Sequence, residues 1–61
     1  MKNNYGQDEY IIYYKMINRK NDYQMGIFYA YDENEALNLF YEKAEIDNWE
    51  KDSFYAKIKE D

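Results

Sequence analysis

A chain of 61 residues with thirteen acids, eight bases and nine tyrosines carries a formal charge of −5, and it has no cysteine, histidine or proline. A domain of about 60 residues buries only about 60% of the surface of its unfolded chain, so a single small domain over 1–61 is expected, with 1–8 as a flexible N terminus. Without Cys there is no disulfide framework and no thiolate nucleophile; without His there is no imidazole base and no zinc site of the usual nitrogen–sulfur kind.

The apolar run Tyr10 to Tyr14 falls far short of the roughly 20 residues that span a bilayer, and Met1-Lys2-Asn3-Asn4 has none of the features of a secretory signal. A cytoplasmic protein of a bacterial host cell is the expectation, and no membrane partner. Asn, Lys, Ile and Tyr are abundant while Val and Thr are missing, a bias that an AT-rich genome produces unaided. An aromatic content of 21% within 46% hydrophobic residues nevertheless argues for a folded core despite a mean hydropathy of −1.10.

In chain order, Tyr10 to Ile17 and Tyr23 to Tyr31 are rich in β-branched and aromatic residues and flank the polar break Asn18-Arg19-Lys20-Asn21-Asp22, which predicts a β-hairpin. Asp32 then supplies a helix N-cap with Glu35 three residues on, a capping-box variant. The following residues place Ala36, Leu37, Leu39, Phe40, Tyr41 and Ala44 on one broad arc, giving an amphipathic helix to about Ile46. Asp47 to Asp52 reads as a loop whose Trp49 is expected to fold back on the core. Ser53 to Lys59 alternates Phe54, Ala56 and Ile58 against Tyr55, Lys57 and Lys59, the pattern of a half-buried edge strand.

The predicted fold class is α+β: ββαβ, a three-stranded antiparallel/mixed sheet in the order 2-1-3 with one helix packed on one face. A right-handed helical crossover sets the second and third strands parallel, leaving a central place for the first, antiparallel to both. If the helix covers Phe28, Ala30, Phe54, Ala56 and Ile58, hairpin pairing brings Tyr10, Ile12, Tyr14 and Met16 to the same side. The other face then holds Ile11, Tyr13, Lys15, Ile17, Tyr23, Met25, Ile27, Tyr29, Tyr31, Tyr55, Lys57 and Lys59. That list is too apolar for a face left in water. Tyrosine tolerates solvent, yet monomers rarely expose large contiguous apolar patches, and Tyr with Met is what interface cores favour. Tyr13, Ile27, Tyr29, Tyr31 and Tyr55 are therefore candidates for a partner-binding or dimer face.

Charge is unevenly distributed. Residues 1–31 carry three acids and four bases, whereas 32–61 carry ten acids and four bases. Glu35, Glu42 and Glu45 form a stripe on the helix that continues into Asp47, Glu50 and Asp52. One account is a solvated helix face. Another is docking to a basic protein surface, imitating nucleic-acid phosphates, since a one-sided negative field speeds association with a positive cleft. The glycine and ligand spacing of a calcium loop is absent at Asp47, Asn48, Glu50 and Asp52, so no metal and no cofactor are expected. Direct nucleic-acid binding is not expected either, because single-strand platforms sit in positive grooves and the bases here are outnumbered. Catalysis is disfavoured as well: paired carboxylates need a cleft that raises one pKa, and one helix on three strands leaves little volume for one.

The segment FYAYDENEALNLF, a strand ending in Ala30 and a capped helix opening with Glu35-Ala36, resembles the strand-to-helix junction of small ββαβ proteins of the DpnD/PcfM-like kind found on phages and mobile elements. The resemblance covers about half the chain; it implies a fold and no site. In style the tiny acidic chain is also similar to phage-encoded anti-CRISPR and anti-restriction proteins, which implies a nuclease target blocked at its basic channel or assembly surface. The expected function is thus non-enzymatic inhibition of a host defence nuclease. The competing expectation is a homodimeric structural or regulatory module, antitoxin-like, with no nuclease target.

Overall fold

The computed structural model describes residues 2–16 and 21–60. Three strands, β1 (Asp8–Tyr14), β2 (Tyr23–Ala30) and β3 (Phe54–Ile58), form an open sheet in the order β2-β1-β3, and the helix α1 (Glu33–Ala44) packs on one face. β1 pairs antiparallel with both neighbours, as the crossover argument requires. Ile17, which the sequence pattern assigns to the end of the first strand, lies outside the described residues with most of the hairpin break.

The helix starts where its cap chemistry puts it. Asp32 is extended, and its Oδ1 accepts from the Glu35 backbone N–H at 2.7 Å; Glu35 Oε1 accepts in return from the Tyr31 N–H at 3.2 Å. The chain leaves α1 through Glu45, whose φ of 55° lies in the left-handed region, and the Ile46 N–H closes back on the Tyr41 carbonyl at 3.0 Å.

Tyr10, Ile12, Ala30, Ala36, Phe40, Phe54 and Ala56 make the buried core, so the helix covers the face that strand alternation selects. Phe40 is its hub, with ring centroids 5.0 Å from Phe54 and 6.1 Å from Phe28. Ala30 and Ala36 are both fully buried; their small side chains let helix and sheet approach closely.

Several details depart from the sequence pattern, each for a physical reason. β1 begins at Asp8, two residues before the apolar run, because Asp8 and Glu9 pair with Ala30 and Tyr29 and meet Lys2 and Lys59 in ion pairs of 3.2 and 3.7 Å. Ahead of it, Asn3 Oδ1 accepts from the backbone N–H groups of Tyr5 and Gln7 and closes a turn. Leu39 is 40% exposed, since a helix over three strands buries a stripe narrower than its full apolar arc. Trp49 does not fold back on the core and is 78% exposed. Residues 48–53 wind into a 3-10 turn instead of an open loop; Tyr41 packs there, donating its hydroxyl to the Lys51 carbonyl at 3.0 Å.

A register shift between Ile12 and Tyr13 alters the far end of the hairpin. Ile12 lies across from Gly26 but Tyr13 from Gln24, so Met25 is an extra residue on β2. Tyr23 then sits opposite Tyr14, on the helix side, and Gln24 replaces it on the other face. Strict alternation had placed Tyr23 and Met25 on that open face; the bulge moves Tyr23 off it.

Candidate protein-binding surfaces

The uncovered sheet face is built row by row by the strand register. Gln24, Tyr13 and Tyr55 form one row, Ile27, Ile11 and Lys57 the next, and Tyr29 lies beside Glu9 and the Glu9–Lys59 ion pair in the third. Tyr13 and Tyr55 stack with ring centroids 5.2 Å apart and planes 23° from parallel, which fixes both rings at half burial. Ile27 and Tyr29 are 43% and 46% exposed. The apolar band is thus continuous from β2 to the Tyr13–Tyr55 stack, with lysines confined to the β3 side. Tyr31 lies just past β2 and is more exposed, its hydroxyl donating to the Tyr5 carbonyl at 3.1 Å. Of the sequence candidates for this face, Tyr13, Ile27, Tyr29 and Tyr55 are brought together; Tyr31 instead ties the N-terminal turn to the strand end.

One residue of this region has no signature in the sequence. Asp22 Oδ2 accepts the Tyr55 hydroxyl proton at 2.6 Å while its Oδ1 accepts the Met16 N–H at 3.1 Å, so a single carboxylate joins the hairpin end to β3. Its place in a polar break suggests only a loop, and its partner is 33 positions away. The Tyr55 hydroxyl and the Met16 N–H hold the Asp22 carboxyl below its ordinary value of 3.8, and the bond to Asp22 in turn pushes the Tyr55 phenol above 10.0. Because the carboxyl value is lowered, its contribution to stability is complete above 3.8 and is lost as pH falls through the lowered value. The raised phenol acts at the other end: its contribution is complete below pH 10.0 and lost as pH rises through the raised value. Urea midpoints measured from pH 7 down to pH 2 should therefore fall for the native chain on the acid side, and Asp22→Asn should flatten that fall while lowering the midpoint at pH 7. An unchanged acid limb in Asp22→Asn would show that this clamp contributes nothing.

The acidic candidates occupy different settings. Glu35 is half-buried and engaged in the helix cap, with Gln7 Nε2 also within 3.4 Å, so it is not a free member of a strip. Glu42 is exposed on the β2 side, beside Phe28, Leu39 and Lys43. Glu45, Asp47 and Asp52 are exposed beyond the end of the helix, and Glu50 is half-buried in the 3-10 turn. Glu45 sits at the negative pole of the helix macrodipole, where an acid is unfavourable, so helix stability does not account for it. Burial and the Asp52 carboxylate together raise the Tyr41 phenol. Among the described residues none of these acids has a base within ion-pair distance, and no three carboxylates converge as a metal site would require. Lys43 and Lys51 lie instead over the Phe28 and Tyr41 rings, at 5.8 and 5.2 Å.

Among the described residues no helix is long and apolar enough to cross a membrane. Comparison with known protein families, with curated proteins and with solved structures finds no match to this chain.

Proposed function

We propose that this chain is a non-enzymatic protein-binding inhibitor whose target is a host defence nuclease of the CRISPR or restriction type. The observation that carries the protein-binding part is the uncovered face, on which Ile11, Tyr13, Ile27, Tyr29 and Tyr55 form an apolar band with no second layer above it among the described residues. Aromatic rings with a fixed orientation and a half-wet edge are suited to the centre of an interface, because they bring contact area at little cost in side-chain entropy. The nuclease target is favoured by the charge distribution. Glu45, Asp47 and Asp52 are exposed beyond the helix end, and among the described residues no base forms an ion pair with their carboxylates, although Lys15 Nζ donates to the Asp52 carbonyl at 3.2 Å; such an acidic end orients the chain toward a positively charged channel. In this reading the acids steer and the tyrosine face holds.

The test is inhibition of DNA cleavage by purified CRISPR effectors and restriction endonucleases from low-GC bacteria. The native chain should block at least one of them at near-equimolar ratio. Glu45→Lys with Asp47→Lys should slow association on the order of tenfold and flatten its salt dependence without unfolding the protein. Cleavage that proceeds undiminished across the panel at large molar excess would overturn the nuclease target. Inhibition that survives the charge reversal at every salt concentration would overturn the role of the acids.

A further inference from the structure

The two edges of the sheet are unlike. β3 is five residues long and ends among the exposed Lys57 and Lys59, the usual protection against unwanted strand pairing. β2 is eight residues long, Tyr23-Gln24-Met25-Gly26-Ile27-Phe28-Tyr29-Ala30, with no charge and no proline. One side of it is bonded to β1. On the other it is the outer strand, and among the described residues no turn or loop backbone hydrogen bond reaches it. Its free N–H and C=O groups specify what fits there: another extended strand.

We propose that a second copy of this chain pairs with it, β2 against β2 antiparallel about a two-fold axis at Phe28, joining two sheets into one of six strands. The register follows from the bulge. Pairing with β1 is regular over Gly26–Ala30 and broken at Met25, so the straight part of the edge is five residues long and centred on Phe28. Two such segments are self-complementary. Gly26 falls opposite the copy's Ala30, small against small on the helix side, and Ile27 falls opposite Tyr29 on the open face, a β-branched residue against an aromatic one. Beside Phe28 the helix side is a shallow groove that also exposes Leu39 and is flanked by Glu42 and Lys43. A two-fold axis there brings the two grooves together and closes them over Leu39, with the Lys43 of each copy held over its own Phe28 ring. This proposal stands apart from the nuclease reading, because it uses the strand edge and leaves both the tyrosine face and Glu45 to Asp52 open.

The absence of cysteine makes the test clean. Residues directly opposite across an antiparallel pair have Cα atoms about 4.5–5.5 Å apart, within the roughly 4.4–6.8 Å that a disulfide bridges, whereas diagonal neighbours lie about 7–8 Å apart. Ile27→Cys and Tyr29→Cys, both at half-exposed positions, are mixed in equal amounts and oxidised in a glutathione buffer. The expected result is mixed dimer several-fold above the statistical share, from a native chain that sediments as a concentration-dependent dimer. A native chain that remains monomeric at millimolar concentration overturns the proposal. A dimer whose cross-links form no faster between positions 27 and 29 than between Tyr13→Cys copies overturns it too, since the copies would then meet through their sheet faces. Unfolding of either cysteine variant is detected by its urea midpoint, and the sedimentation of the native chain then decides.

Discussion

Ile12→Ala should cost about 2–5 kcal/mol and leave much of the protein unfolded at room temperature. Ile12 is the largest side chain with no exposed surface, and it sits at the middle of the central strand. Its neighbours across the ladder are Gly26 on one side and Ala56 on the other, so it is the one large side chain in its row. Truncation leaves Gly, Ala and Ala side by side across the three strands, with the Phe28 ring edge over Gly26 as the neighbouring bulk. The less the surrounding side chains close on the cavity, the nearer the cost lies to the upper end of the range for such substitutions. A chain of 61 residues has about 3–9 kcal/mol in total at the usual 0.05–0.15 kcal/mol per residue, so the loss is comparable with the whole. Urea unfolding followed by tyrosine fluorescence measures it. Ile12→Val, which removes one methylene, should cost about 0.5–1.5 kcal/mol and remain folded. Equal midpoints for Ile12→Ala and the native chain would mean that the row closes up and the void does not form.

Phe40→Ala should cost about 3–5 kcal/mol, for a different reason. β2 and β3 do not touch, being separated by β1, and Phe40 joins them from above, reaching Phe28 on one strand and Phe54 on the other. Removing the ring takes away both aromatic contacts to the strands, a third to Tyr41, and one of the two buried side chains that fix the helix, the other being Ala36. Loss should therefore be greatest in the helix. Amide exchange in α1 should rise toward the intrinsic rate while the β1–β2 hairpin retains more protection, and Phe40→Leu should recover most of the stability, at a cost under about 1.5 kcal/mol. Uniform loss of protection in helix and hairpin would show instead that the two unfold as one unit.

Much of the fold was legible because its determinants are local. The Asp32–Glu35 cap is two side chains three residues apart, and the alternation of Phe54, Ala56 and Ile58 is a property of a single strand. Strand order followed from connectivity, since a helical crossover sets β2 parallel to β3 and leaves the central place to β1. Three misplacements share a cause. Leu39 and Tyr23 follow from continuing a period and Trp49 from the apolar character of its side chain alone, and in each case a tertiary fact intervenes: a helix that buries a stripe narrower than its apolar arc, an extra residue at Met25, and a 3-10 turn packed on Tyr41.

The candidate surfaces divide in the same way. That one sheet face would be apolar and uncovered was readable from composition alone, because both phases of β1 and β2 are apolar and the chain has one helix to cover them. Which acids stand free was not readable. Helical spacing puts Glu35 in line with Glu42 and Glu45, but spacing carries no information on hydrogen bonding, and Glu35 is held by the Tyr31 N–H at the helix start. The sequence by itself determined the elements, their order and the sign of each half, since these rest on patterns within a few residues and on counting. Only the tertiary structure decided that Asp22 clamps Tyr55, that Tyr13 stacks on Tyr55, and that β2 keeps an uncharged edge in the open, because each depends on groups brought together across the sheet from distant parts of the chain.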